Sequence, residues 1–320
     1  MTIRGQALGT AYSIKLIGPE GALDEAALVK AVKEELDRVD RLMSTYREDS
    51  ELMRLNRAAT GVSFPISPET LNVLQTSAVA ERLTRGGFDP TVGPLVRLWK
   101  FGPGRESGFS IPSDEAIEAA RASVGFSAFV VQEDPPAVIK TVDGLELDLS
   151  AVAKGFVVDQ IARRLRREGV SRMMVEVGGE VRAAGLAGND RLWKIGIEKP
   201  VVDARRVQRI VPLMDMSLAT SGDYRNFHEV DGKRYSHTID PATGRPARHN
   251  LASVTVLHEA CAMADALATG LLVAGPENAL AIANEHDLAV LLIEREGEEF
   301  TETESPAWQQ YHRDVSRDKR

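Results

Sequence analysis

One acidic residue in an apolar run is the first place where this sequence asks for chemistry. Ala260 to Gly275 reads ACAMADALATGLLVAG, and its only charged residue is Asp265, with Thr269 one helical turn later on the same face. An ionised carboxylate in apolar surroundings is costly unless it is paired, hydrogen-bonded or bound to a cation, so Asp265 demands a partner. Oxygen ligands from Asp and Thr suit a hard cation such as Mg²⁺, which keeps waters and shares substrate phosphates. Backbone amides or a buried arginine would satisfy the carboxylate as well.

Asp148 to Gly155, DLSAVAKG, reads as the end of a strand and the start of a helix. A helix N-terminus presents unpaired amides to an anion, and Lys154 on the first turn adds a positive charge, a combination that fits a diphosphate. The plainer reading makes Ser150 a cap and Lys154 a surface residue. In YSHTIDPATGRP, Tyr235 to Pro246, His237 ends a strand before a rigid turn. Its pKa range suits a general base for a hydroxyl nucleophile, although a half-exposed strand histidine followed by a turn-forming Asp240 has the same look. Phe88-Asp89-Pro90-Thr91-Val92-Gly93-Pro94 follows one helix and Met43-Ser44-Thr45-Tyr46 ends another. Tyr46 and Asp89 could meet a planar ring and its donors, or serve as a packing residue and a turn cap. Glu176-Val177-Gly178-Gly179-Glu180 admits a close backbone approach to a ligand, or simply connects two strands.

The elements that must position these residues follow from periodicity. Thr10 to Leu16 alternates as a half-buried strand. Asp24 can cap a helix carrying Leu28, Val32, Leu36, Val39 and Leu42 up to Ser44, and Ser67-Pro68 opens a second that Gly86-Gly87 closes. Short β-type runs fill Ala128 to Asp148, with turns at Pro135-Pro136 and Asp143-Gly144, before a helix from Ser150. Strands are expected over Arg172 to Ala184, Trp193 to Glu198 and Val207 to Thr220. Asp231-Gly232 marks a hairpin turn between Tyr224 to Val230 and Lys233 to Thr238. Ser253 to Leu257 reads as a strand, His258 to Ala274 as a buried helix, Pro276 to Glu285 as a helix and Leu288 to Ile293 as a last strand. The charged stretch from Glu294 reads as a solvated tail, its start near residue 295. Segregated helices and hairpins predict an α+β fold with mixed, largely antiparallel sheets and packed helices. No repeat or linker divides the chain, which reads as one unit over residues 1–320, or as two closely joined subdomains.

Composition narrows the function classes. With 320 residues and 43% hydrophobic content the chain can bury a sizeable core, and a net charge of -8, from 39 basic and 47 acidic residues, argues against a nucleic-acid partner. A single cysteine, Cys261, excludes an internal disulfide framework and a cysteine-built zinc site. No segment reaches membrane-spanning length, and no P-loop or glycine-rich dinucleotide fingerprint is present. Met1 to Leu8 has neither a signal-peptide run nor a lipid-attachment cysteine, so the expected compartment is the cytoplasm, or the periplasm if an export signal has been trimmed.

Eight segments in order, LGTAYSIKL, STYREDSELMRLN, FDPTVGPLVRLWKFGP, LDLSAVAKGFVVD, VEVGGEVRAAG, ATSGDYRNF, GKRYSHTIDPATGRP and ADALATGLLVAG, resemble the ApbE family of FAD:protein FMN transferases over nearly the whole chain. The resemblance implies an α+β body related to the T-fold arrangement, with FAD in a cleft and Mg²⁺ at its diphosphate. It implies metal ligands from Asp265, Thr269 and the backbone carbonyl of Ala151. It also implies flavin-nucleotide contacts from Tyr46, Gly87, Phe88, Asp89, Asp148, Lys154 and Ile239, and His237 as the base. Leu8 stands where the family usually has methionine, and it would keep that contact as an apolar one. The implied chemistry is attack by an acceptor Thr or Ser hydroxyl on the FMN phosphorus with release of AMP, the acceptor being a redox flavoprotein subunit with a short motif around that residue. Hydrolysis of FAD to FMN and AMP, and flavin binding without chemistry, are the alternatives.

Overall fold

The computed structural model describes residues 1–18, 24–102, 109–201, 206–224, 226–230, 232–297 and 299–317. The chain opens with a hairpin of β1 (Thr2–Ala7) and β2 (Thr10–Ile17), paired from Thr2↔Lys15 to Ala7↔Thr10. Its two-residue loop, Leu8-Gly9, has φ of 51° and 71°, the handedness that matches the twist of the flanking strands. β2 buries Tyr12, Ile14 and Leu16, the alternation visible in sequence, whereas β1 buries Ile3 alone and so left no pattern to read.

Polar caps start the helices as expected. Asp24 accepts from Ala27 N–H at 3.0 Å ahead of α1 (Glu25–Met43), and Ser50 from Met53 N–H at 3.0 Å ahead of α2 (Glu51–Arg57). After β3 (Ser63–Pro65), Ser67 accepts from Thr70 N–H at 3.2 Å ahead of α3 (Pro68–Leu83). Two short helices, α4 (Gly93–Leu98) and α5 (Asp114–Arg121), precede the hairpin of β4 (Phe129–Glu133) and β5 (Pro136–Lys140), on which β3 pairs to make a small sheet.

The second half supplies α6 (Ser150–Arg167), β6 (Arg172–Val177) and β7 (Glu180–Ala184), then the ribbon of β8 (Trp193–Glu198) and β9 (Val207–Leu213), and β10 (Ser217–Gly222). β11 (Phe227–Val230) and β12 (Lys233–Ser236) pair with Val230 opposite Lys233, as the expected turn requires, although Asp231 itself lies outside the described residues. β13 (Ile239–Asp240), β14 (Arg245–Pro246), β15 (Leu251–His258), α7 (Cys261–Ala274), α8 (Pro276–Glu285) and β16 (Ala289–Glu296) follow. β17 (Glu299–Glu304) and α9 (Pro306–Arg317) end the fold.

The main sheet runs β1-β2-β6-β7-β10-β15-β16-β17 with every neighbouring pair antiparallel, so the α+β expectation holds. One face is covered by a helical layer in which Phe156, Val157, Leu267 and Leu271 pack on Ile14, Val175, Val254 and Leu292. The other face packs Met174, Val181, Leu218 and Leu291 against the β8–β9 ribbon and Trp308 of α9. β15 is buried on both faces, which is why LASVTVLH reads as an unbroken weakly polar run.

Two expectations need correction. The stretch from Glu294 is not a solvated tail: β16 continues to Glu296, β17 pairs with it, and Trp308 in α9 is 0% exposed. Its charges are used, with Glu302 2.9 Å from Arg209. The buried helix starts at Cys261 rather than His258, because His258 stays in β15 opposite Ser217 and its Nδ1 accepts from Ala260 N–H at 2.9 Å, which turns the chain first.

Glycines set how closely α7 is approached. A Cβ on Gly155 of α6 would lie 2.3 Å from the Cys261 carbonyl oxygen, and one on Gly87 would lie 2.4 Å from the Gly270 carbonyl oxygen. Backbone therefore meets backbone at both crossings.

Candidate active site

The close crossing of α6 and α7 brings Asp265 to the first turns of α6. Asp265 is 2% exposed; its Oδ2 accepts from Gly155 N–H at 3.0 Å, and Lys154 Nζ stands 3.4 Å from both its oxygens. Lys154 also lies 3.1 Å from Oε1 of Glu180, which is 3% exposed at the start of β7. Two carboxylates thus share one ammonium. Burial opposes the charge on Lys154, but Asp265 and Glu180 hold its pKa above the ordinary lysine value. Burial, reinforced by repulsion from Asp265, pushes Glu180 up to about 8 against the pull of Lys154. Lys154 thus stands between two buried carboxylates, 3.1 Å from Glu180 and 3.4 Å from Asp265. Glu180 Oε2 has no hydrogen-bond partner among the described residues.

A second carboxylate fixes the start of α7. Asp159 accepts from Ala262 N–H at 3.1 Å and pairs with Arg182 at 3.0 Å. On the next turn past Asp265, the Thr269 hydroxyl lies 3.0 Å from the Ser221 hydroxyl at the end of β10.

Lys154, Glu180, Ser221, Asp265 and Thr269 open into a cleft of ≈ 670 Å³. Ala151, Asp148 and Lys154 bring the α6 N-terminus to its wall. Asp148 Oδ1 accepts from Ser150 N–H at 2.9 Å and from the Ser150 hydroxyl, so Asp148 rather than Ser150 secures the first turn. Its own N–H donates to Pro90 O at 2.7 Å, which ties this start to the loop carrying Gly87, Phe88 and Asp89, all three on the cleft. Asp89 Oδ1 accepts from the Thr91 N–H at 2.8 Å and the Thr91 hydroxyl at 2.6 Å; burial nevertheless raises its pKa. Tyr46 stands at the rim, 74% exposed, and is no packing residue.

His237 and Ile239 line the cleft beyond β12. The Asn226 carbonyl accepts from His237 N–H at 3.0 Å and lies 3.0 Å from ring Nδ1. A carbonyl only accepts, so in the neutral ring the proton sits on Nδ1 and Nε2 is the basic nitrogen. Of the positions that the resemblance implies, Leu8 is the one not on the cleft lining; it sits half-buried against the main core in the β1–β2 turn.

Among the described residues no group of three or more His, Cys, Asp or Glu side chains could hold a metal ion. What is present is the buried Asp265 carboxylate, the Thr269 hydroxyl one turn on and the backbone of Ala151 on the same wall, an oxygen-only and incomplete set. That set suits Mg²⁺, which completes its shell with water and substrate phosphates, and does not suit Zn²⁺.

Sequence reading put Glu180 in a segment of close backbone approach and missed its side chain. The signal was a sign pattern: Glu180 and Arg182, two apart on β7, face Lys154 and Asp159 of α6 with opposite charges. Only the placing of β7 under α6 makes that readable.

The ApbE family model matches residues 8–292. The chain belongs to the ApbE family. A FAD:protein FMN transferase of Vibrio cholerae is 42% identical over 309 residues, covering 97% of this chain and 92% of that protein. The one from Escherichia coli K12 is 39% identical over 311 residues, covering 97% and 88%. Among solved structures, the flavin transferase ApbE from Vibrio cholerae superposes with a TM-score of 0.89 at 42% identity, over 97% of this chain and 98% of that one. The residues that line the cleft, from Lys15 to Thr269, all lie inside the matched ApbE region.

Proposed function

We propose that this chain is an FAD:protein FMN transferase that uses Mg²⁺ and passes FMN to a Thr or Ser hydroxyl of an acceptor flavoprotein, releasing AMP. The observation that carries the reading is the meeting of Asp265, Thr269, Lys154 and the α6 N-terminus in one cleft with His237, on a chain whose relatives bear that enzyme name. Asp265, Thr269 and the Ala151 carbonyl would hold the cation. When bound, it would supply positive charge to the diphosphate oxygens as a Lewis acid. Lys154 and the first amides of α6 add fixed charge and dipole for the same anion. Tyr46 and the Gly87–Asp89 loop face the cleft where the planar and polar parts of the nucleotide would be read.

In the reaction, His237 Nε2 takes the proton of the acceptor hydroxyl. The hydroxyl oxygen forms a bond to the FMN phosphorus, and the bridging P–O bond to the AMP half breaks. AMP leaves with that electron pair, its negative charge met by Lys154. The test is incubation of the protein with FAD, Mg²⁺ and a candidate acceptor, followed by intact-protein mass spectrometry and AMP measurement. A mass gain of one FMN on the acceptor with AMP release is expected. AMP release with no mass gain would replace transfer by hydrolysis, and FAD bound without AMP release would leave only a flavin-binding protein.

A further inference from the structure

The cleft continues past the Asp265–Thr269 pole onto the opposite face of the main sheet, and there its wall is a strand edge. Lys194, Ile195, Gly196, Ile197 and Glu198, consecutive residues of β8, all line it, and no residue of β9 does. Side chains alternate along a strand, so consecutive lining residues mean that the backbone edge itself faces the cleft. β8 pairs with β9 alone among the described strands.

Hydrogen-bond geometry shows which backbone groups point outward. Lys194 is opposite Pro212, and Gly196 opposite Ile210. Just past β8, Lys199 N–H donates to Arg206 O at 2.7 Å, so by the period of two Ile197 and Ile195 are the residues bonded toward β9 and Gly196 and Lys194 face away. Proline has no N–H to give to a ladder, in keeping with that orientation. Lys194↔Pro212 and Gly196↔Ile210 are on that parity pairs without mutual hydrogen bonds. The N–H and C=O groups of Lys194 and Gly196 point to the open edge. At the base of the groove Met174, Val181 and Leu218 are already buried against the ribbon, with Lys15 and Glu176 beside them on the lining. Ser221, on the same lining, bonds Thr269 and joins this groove to the candidate metal pole.

We propose that the outward edge of β8 docks an extended segment of the acceptor polypeptide, which adds to it as a strand and presents its hydroxyl residue at the Asp265–Thr269 pole. This rests on the transferase reading. Donors and acceptors repeating at residue spacing match a polypeptide backbone, with affinity coming from main-chain bonds and selectivity from alternate side chains. Exposed edges are commonly protected by charge or cover; this one carries Lys194 and Glu198, lies inside a cleft, and is paired on its other side by β9 alone among the described strands.

The test uses the full-length protein and a library of threonine-containing peptides, each long enough to span the six residues of β8, with FMN transfer read by mass spectrometry. Lys194→Pro removes one outward N–H and leaves the β8–β9 bonds in place; Lys194→Ala removes only the side chain. For the best-labelled peptide, Lys194→Pro is expected to lower kcat/KM about tenfold, the worth of one backbone hydrogen bond in a partly dry site, with FAD affinity and thermal midpoint unchanged. Lys194→Ala is the reference for loss of the side chain, against which the tenfold loss in Lys194→Pro is measured, and N-methylation of the peptide backbone should mimic the proline variant. Unchanged peptide kinetics in Lys194→Pro, or a matching loss of FAD affinity, would overturn the proposal; the latter would assign the edge to the nucleotide. FAD cleavage by the wild type with no peptide labelled would also overturn it. Failure of the wild type to cleave FAD at all would instead refute the transferase reading.

Discussion

Asp265→Asn separates charge from shape at the centre of the site. Asparagine keeps an oxygen for Gly155 N–H, now 3.0 Å from Oδ2, and nearly the same volume. It removes the negative charge 3.4 Å from Lys154. Breaking a buried pair commonly costs about 3–5 kcal/mol, because the remaining charge is stranded. Here Lys154 still has Glu180 at 3.1 Å, and 30% of its side chain faces the cleft. With the Asp265 charge gone, the repulsion that helps raise the pKa of Glu180 disappears, which favours its charged form beside Lys154. The stability loss should therefore be about 1–3 kcal/mol, and the protein should stay folded. Catalysis should suffer more. A cation at this pole loses its one carboxylate, and a loss of about 4 kcal/mol of electrostatic stabilisation corresponds to about a 10³-fold slower AMP release at fixed Mg²⁺. The assay is AMP release from FAD across a Mg²⁺ titration, beside a melting curve. Asp265→Asn with wild-type rate and wild-type Mg²⁺ half-saturation would refute the assignment of Asp265 to the cation.

Other outcomes follow from the same structure. His237→Ala should slow FMN transfer by about 10²–10⁴-fold with FAD affinity close to wild type; lost FAD binding with unchanged turnover would reverse that role. Trp308→Ala should cost about 3–5 kcal/mol in denaturant unfolding, since a fully buried indole is removed, and a change within about 0.5 kcal/mol would restore the picture of a solvated C-terminus. Burial holds the pKa of His249 below its ordinary value of 6.5. The unfolded chain then takes up that proton at higher pH than the native state, so this contribution is complete above pH 6.5 and is lost as pH falls through the folded-state pKa. His249→Gln should flatten the acid side of the stability profile, and an unaltered slope would show that the buried imidazole does not contribute.

Legibility followed the strength of the periodic signal. α1 and α3 carry their apolar residues at helical spacing behind side-chain caps, so both were readable. β17 has no fully buried residue, and α9 is charged around Trp308 and Val315, so composition pointed to solvent where the chain is held by pairing with β16 and one buried indole. The cleft residues were readable as motifs because each lies beside a turn, a cap or an apolar run that makes it conspicuous. The pairing of Lys154 with Glu180 was not, because it joins residues from two elements whose relative placement no local pattern encodes. The outward edge of β8 was hidden for the same reason, since it depends on how β8 and β9 register and on which strands they meet.

The glycine crossing of α6 over α7 carries a last consequence. Gly155 both touches the Cys261 backbone and gives its N–H to Asp265, so one residue governs the spacing of two helices and the seat of the central charge. Replacing glycine by alanine within a helix ordinarily stabilises a protein by about 0.4–1 kcal/mol, but here the added methyl would wedge the helices apart. Thermal tolerance and catalytic alignment therefore share a single degree of freedom, and a more heat-resistant version of this protein must draw its gains from elsewhere, such as the surface of α1 or the loops around the small sheet.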